Sequence, residues 1–342
     1  MKFILATLPV LVAAHSAVWK VTFDGTTYPA RDARMDPELG AKRAEWHFKN
    51  VQNFPWMAVR DVEDASITCG LDATPPDLSA KARAGANVTV QWSGIIRMHL
   101  GPVLTYLGRL PTPDTKPLDI SFFKINEAGF DKARRKWANE DLIEHGTADT
   151  FQLPSDIKPG TYVLRTELLA LHGNRMNYLP QDGYSGPQFY THCFNVEILG
   201  NGNVEPAGVK FPGGYKRDEP GVKFNLYKSE KDWDGYIIPG PPKYAGKYEA
   251  PTGEPPKVEP KDTGLFPPAF QAKYEAYKAK EDEYAIASSN MVNGVDPTGK
   301  EMAKGSASIA TYFQGRTKVQ AALKEEYKNL LAEAKALGIA PK

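Results

Sequence analysis

The sequence predicts an all-β protein: an antiparallel β-sandwich with long loops and a helical extension at its C-terminus. Three observations carry this. Short runs of alternating or continuous apolar residues recur between Val18 and Leu199, each bounded by Gly, Pro, Asn or Asp. No helical segments alternate with them, which argues against parallel β-α-β construction. From Phe270 onward the apolar residues instead recur every three or four positions, the period of a helix.

The elements follow in chain order. Val18 to Phe23 alternates and ends at the turn Asp24-Gly25. From Pro29 to Trp56 the pattern weakens, with room for a short helix over Ala41 to Val51; His47 within it reads as a surface residue. Asn87 to Trp92 is a second alternating strand, and Asn87-Val88-Thr89 is an N-glycosylation acceptor pattern. Val103 to Leu107 and Ile120 to Ile125 are further short strands. Asn126 to Thr150, which holds His145, is charged and loop-like. Pro159-Gly160 turns into a long β-rich run, Thr161 to His172, and Gln188 to Leu199 is a strand ended by Gly200-Asn201-Gly202. Composition changes near Pro239. A Pro/Gly-rich linker is expected over 242–268, followed by helical stripes at Phe270, Tyr274, Tyr277 and Tyr284, then at Val319, Leu323, Tyr327, Leu330, Ala334 and Leu337. The reading is a leader over 1–14, a sandwich over 15–241, the linker, and a helical extension over 269–342 dispensable for the chemistry. A chain ending near Lys243 is then expected to fold and stay active.

Composition narrows the partners. The chain has 342 residues and a formal net charge of +1, with no basic tract, so nucleic acid is not an expected partner. Beyond the leader no apolar run is long enough to span a membrane, and the C-terminal Gly-Ile-Ala-Pro-Lys offers no tail for a lipid anchor. Cys69 and Cys193 are the two cysteines. In a secreted chain an even count points to a disulfide; the alternative is two buried thiols.

The N-terminus carries the first chemical hint. Lys2, the apolar run Phe3 to Val12 and the small residues before His15 resemble a secretory leader, so the chain is expected to be secreted and extracellular. A cut after Ala14 makes His15 the first residue. A cut after Ala17 would remove it, but would put His15 where a small residue is wanted. An N-terminal histidine offers an amine and a ring nitrogen together, a chelate suited to copper. Three further segments carry polar side chains at strand ends: Met98-His99-Leu100-Gly101-Pro102, Leu171-His172-Gly173-Asn174 and Gln188-Phe189-Tyr190-Thr191-His192-Cys193. Alternation puts Gln188 and Tyr190 on one strand face and Cys193 on the other. His192 shares their parity further along and reads as structural.

These motifs together resemble the fungal lytic polysaccharide monooxygenases of auxiliary activity family nine. The resemblance covers roughly His15 to Pro241. It is carried by His15, by His99-x-Gly101-Pro102-Val103-x-x-Tyr106-Leu107, by Pro159-Gly160-x-Tyr162-x-Leu164-Arg165-x-Glu167 running on to His172, and by Gln188-x-Tyr190-x-x-Cys193. Pro212-Gly213-Gly214-Tyr215, Asp218-x-Pro220-Gly221 and Tyr236-x-x-Pro239-Gly240-Pro241 complete it.

The resemblance implies an immunoglobulin/fibronectin-like sandwich with one copper ion. His15 and His99 would supply three nitrogens and Tyr190 the axial position. His172 and Gln188 match the outer pair that positions the oxidant, Tyr236 an aromatic that stacks on a sugar, and Cys69 with Cys193 the family disulfide. The implied reaction is oxidative cleavage of cellulose or a related β-glucan at C1 and/or C4, with dioxygen or hydrogen peroxide as co-substrate and a small-molecule or protein reductant as electron donor. The alternative is a secreted, cell-wall-associated copper-binding protein on the same scaffold. The chain departs from the family at Gly70, where asparagine is common, in a longer loop over 29–56, and in lacking a cysteine-rich cellulose-binding module.

Overall fold

A computed structural model describes residues 16–32, 35–49, 58–93, 95, 97–174, 186–292 and 308–340. The proposed leader and His15 therefore lie outside the described residues. Two sheets face each other. One is built from β1 (Ala17–Phe23), β2 (Thr26–Pro29), β4 (Asn87–Ser93) and β9 (Ala148–Gln152), in the order β2-β1-β4-β9. The other is built from β3 (Ala80–Arg83), β5 (Val103–Arg109), β6 (Phe122–Ala128), β10 (Gly160–Ala170) and β11 (Gln188–Leu199), in the order β3-β11-β10-β5-β6. Pairing is antiparallel except where β3 lies parallel to β11.

The alternation seen in the sequence is the reason for this layering. Val21, Phe23, Val88, Val90 and Trp92 point from the first sheet into a core shared with Tyr190, Phe194, Val196 and Ile198 of β11. Their odd-numbered neighbours Phe189 and Cys193 point away, into a second apolar cluster behind the larger sheet. The larger sheet is thus covered on both faces, which is why β10 is buried at every position from Tyr162 to Ala170. Cys69 and Cys193 form a disulfide in that second cluster, with Cα atoms 5.4 Å apart. The charged pair in the β10 motif is structural. Arg165 and Glu167 are fully buried, 2.8 Å apart, with Arg165 donating to the carbonyls of Ile67 and Thr68 and Tyr215 donating to Glu167.

Three expectations change. Residues 41–49 are not helical. Glu45 and His47 instead form single bridges with Phe194 and Thr74, while α1 (Asp36–Leu39) lies just upstream. These residues belong to a segment laid along the edge of β11. His47 meets Asp77, as a surface residue does. The stretch from Asn126 to Thr150 is also more than a loop: it holds the hairpin β7 (Phe130–Asp131) and β8 (Lys136–Trp137), α2 (Ala138–Glu144) and most of β9. Its strands are short or edge-placed, so polar residues outnumber apolar ones. Finally, residues 242–268 follow the sandwich surface. Tyr244 packs on Phe123 and bonds to Asp156, Ser155 accepts from Glu249, and Arg83 donates to Thr252.

The extension is a pair of helices, α3 (Pro268–Val292) and α4 (Ser308–Ala336). Phe270, Tyr274 and Tyr277, with Leu330 and Ala334, bury against Met35 and Leu39 of the long loop. Buried charges seal the contact. Arg43 pairs with Asp36 at 2.8 Å and lies over the Phe266 ring, and Lys278 pairs with Asp32 at 2.6 Å. The stripes of the sequence are only partly covered: Val319 and Leu337 face solvent. Among the described residues no helix is long and apolar enough to cross a membrane.

One half-buried carboxylate makes a stability prediction. Asp149 on β9 accepts from the Asn126 amide at 3.1 and 3.3 Å, and burial pushes its pKa up to about 6. A raised carboxyl pKa helps folding below its unfolded value near 4, and that help is lost as pH rises through about 6. Asp149→Asn, which retains an acceptor for Asn126, should therefore raise stability by about 1–2 kcal/mol at pH 8 and change little at pH 4. Thermal melts at the two pH values check this; equal shifts at both would rule out the ionisation as the cause.

Candidate metal centre

The site forms where the three middle strands of the larger sheet end together. Leu168 of β10 pairs with Val103 of β5, and the ladder continues beyond the strands: Leu169 N donates to Pro102 O and Leu171 N to Leu100 O. This register sets His172 opposite His99. Their rings stack at 4.6 Å with an interplanar angle of 13°. On the other side β10 pairs with β11, Ala170 opposite Gln188 and Leu168 opposite Tyr190. The Tyr190 ring stacks on His99 at 5.3 Å.

Local sequence explains how such a cluster is held. A Cβ at Gly101 would lie 1.8 Å from the Leu169 carbonyl oxygen, so only glycine lets the His99 loop approach β10. A Cβ at Gly173 would lie 2.1 Å from the Gly186 carbonyl, which keeps the turn after His172 against the start of β11. Asn174 then donates to the carbonyls of Val222 and Phe224, tying a later loop to the same rim.

The polar chain continues outward. Gln188 lies 2.6 Å from the Tyr190 hydroxyl. With its amide set to satisfy both ends, Gln188 donates to Tyr190 and accepts from Arg60 Nη1 and Nη2, each at 3.1 Å. Burial pushes the Tyr190 phenol well above its ordinary pKa, against the opposing pull of Arg60, so the phenol is neutral at physiological pH. The first strand completes the rim. Ser16 is fully buried and its Oγ lies 3.4 Å from His99 Nδ1. His15, which precedes Ser16 in the chain, lies outside the described residues. Among the described residues no group of three or more His, Cys, Asp and Glu is poised to hold a metal.

The family model of Auxiliary Activity family 9 (formerly GH61) matches residues 15–236. This chain belongs to auxiliary activity family 9. It is 38% identical over 239 residues to AA9 family lytic polysaccharide monooxygenase D of Geotrichum candidum, covering 68% of this chain and 70% of that one. It is 35% identical to AA9 family lytic polysaccharide monooxygenase G of Emericella nidulans, covering 70% and 88%. Among solved structures, the family 61 member Cel61B of Hypocrea jecorina is 30% identical with a TM-score of 0.59, covering 67% of this chain and 100% of that one. The extended catalytic domain of H. jecorina LPMO9A is 28% identical with a TM-score of 0.60, covering 70% and 95%. These neighbours share the β-sandwich. The family match ends at Tyr236, before residues 242–268, the strap along the sandwich surface, and the helical pair.

In this family 9 chain the structure brings together His99, His172, Gln188 and Tyr190. Tyr236 is half-buried. The Tyr236 ring packs edge-on against Trp137 at 4.7 Å and Phe224 at 5.0 Å, and its hydroxyl donates to Gly221 O. Burial raises its phenol pKa well above the ordinary value. In a loop no period tells which way a ring points, so the sequence does not distinguish it from Tyr227. Tyr227 is 55% exposed and its hydroxyl donates to the His172 carbonyl at 3.0 Å. The sequence signal for Tyr227 is an aromatic in a polar loop, but nothing in it gives the proximity to His172. Arg60 carries no signal, because it follows a stretch with no period. Asn87 is exposed at the start of β4, as a glycosylation acceptor requires.

Proposed function

We propose that this chain is a secreted copper-dependent lytic polysaccharide monooxygenase acting on cellulose or a related β-glucan. The observation that carries this is the stacked His99, His172 and Tyr190 cluster with Ser16 against His99. The residues fit a copper ion. His15, through amine and ring, and His99 would give three neutral nitrogens, and Tyr190 a neutral oxygen. A bound copper ion supplies the one-electron chemistry by which dioxygen or hydrogen peroxide, with an external reductant, oxidises C1 or C4 of a glucosyl unit.

The chain's own residues do the rest. Tyr190, kept protonated, would be a weak neutral oxygen donor beside the nitrogens. Gln188, oriented by Arg60 and Tyr190, presents a polar edge at the cluster. His172 lies parallel to His99 and supplies the nearest further imidazole. Tyr227, exposed beside His172, is an aromatic we assign to sugar contact alongside Tyr236. The strap and helices lie beyond every proposed ligand.

The test is incubation of mature protein with copper, ascorbate and a panel of β-glucans, followed by mass spectrometry. Aldonic or C4-keto oligosaccharides are expected. Their absence on every glucan would leave the copper-binding, cell-wall reading standing. In the same assay His172→Ala and Gln188→Leu should retain copper while losing about 10–100-fold in turnover, the usual effect of removing partners around a metal site. Full activity in both would show that neither positions the oxidant.

A further inference from the structure

The N-terminal strand is held in an unusual way. β1 pairs with β4 in a regular ladder except between Val18 and Lys20, where the register slips by one residue. The Val18 backbone N–H instead donates across the sandwich to His192 Nε2 at 3.3 Å. The other ring nitrogen, Nδ1, lies 2.6 Å from Glu45 Oε1. An accepting Nε2 fixes the tautomer with the proton on Nδ1, donated to Glu45.

Glu45 is itself anchored. Its second oxygen accepts from the Arg31 backbone N–H, and the residue forms a bridge with Phe194 on β11. Trp46 N donates to Cys193 O and Asn195 N to Ala44 O on either side. The His192 ring is set edge-on against Trp92 at 5.7 Å and Phe48 at 6.5 Å. Glu45, His192 and Val18 are all 5% exposed or less. A buried histidine so completely engaged has one degree of freedom left to control: where the start of β1 sits.

We propose that His192, oriented by Glu45, is a positioning residue that fixes the first strand so that the amino end of the mature chain meets His99. Ser16 against His99 and Val18 against His192 are two pins on one short segment. His15 lies three residues before Val18, so a slip at Val18 moves both of its nitrogens. The long loop over 29–56, which departs from the family, acquires a purpose: it delivers Glu45. The inference rests on the copper reading for its consequence, but the pin itself does not need a metal.

The test uses the full mature chain with Cu(II) as probe. His192→Phe retains a ring and removes both nitrogens; His192→Gln restores an acceptor near the Nε2 position. Expected are a fall in Cu(II) affinity of about tenfold or more in His192→Phe, a changed Cu(II) electron paramagnetic resonance spectrum, and recovery of both towards wild type in His192→Gln. Wild-type affinity and spectrum in His192→Phe would overturn the inference. Hydrogen exchange at the Val18 amide, measured without metal, separates the two readings. If wild type binds no copper, the functional proposal fails, while a protected Val18 amide that exchanges about tenfold faster or more in His192→Phe still supports the pin. Should His192→Phe not fold, wild type and His192→Gln decide: a Val18 amide unprotected in wild type overturns the proposal.

Discussion

His99→Ala should lose more Cu(II) affinity than either His172→Ala or Gln188→Leu. Removing a residue that only supports a metal site typically costs about 10–100-fold, and His99 is assigned as a donor, so its loss should exceed that range. The reasoning is geometric. His99 is the buried histidine of the stack, 4% exposed, with rings of His172 and Tyr190 stacked on it and Ser16 at its Nδ1. No other described imidazole lies in that stack except His172, which faces it across the ladder. Calorimetric titration of the metal-free mature protein measures this directly. Equal affinities for wild type and His99→Ala would remove His99 from the ligand set and, with it, the assignment of the cluster as a copper centre.

A chain ending at Pro267, without the helical pair, is expected to melt on the order of 10 °C lower. Removing α3 and α4 uncovers Met35 and Leu39, 2% and 0% exposed respectively, and takes away Lys278 from Asp32. Re-exposing two such apolar side chains costs about 3–6 kcal/mol, and each kcal/mol shifts the melting point of a domain this size by about 2–4 °C. A chain ending at Lys243 should fall further, because Tyr244 leaves Phe123 and Asp156 as well. Composition alone leads to the expectation that such a chain folds and stays active; these contacts add that it does so with a lower melting point. Copper affinity at a temperature where the shortened chain is folded should hold, since every proposed ligand precedes the strap and Glu45 is anchored on β11. An unchanged melting point would show that the helices rest on the sandwich without stabilising it.

The legible parts of the site are those on strands. Alternation by itself separates Gln188 and Tyr190 from Cys193, because a strand sends neighbours to opposite faces. The Gly-Pro after His99 and the Gly after His172 mark strand ends, and the close approaches at Gly101 and Gly173 show what those glycines are for. The parts that are not legible sit in loops. Tyr236 and Tyr227 occupy one irregular segment, and their order along it says nothing about which ring the sandwich covers. Arg60 meets Gln188 only because the long loop returns to β11 at Val59, where Val59 and Phe189 form a bridge.

Taken alone, the amino-acid sequence determines the all-β character, the opposite faces of Tyr190 and Cys193, the family and the set of histidines worth testing. Each of these is written locally, as a period of two, a turn residue or a motif in fixed order. Tertiary structure decides which histidines stack, which tyrosine stays exposed, what the 29–56 loop delivers and where the C-terminal helices dock. Those outcomes depend on register between strands far apart in sequence and on packing between surfaces that share no period. A one-residue slip in the β10–β5 ladder would leave every motif intact and separate His172 from His99.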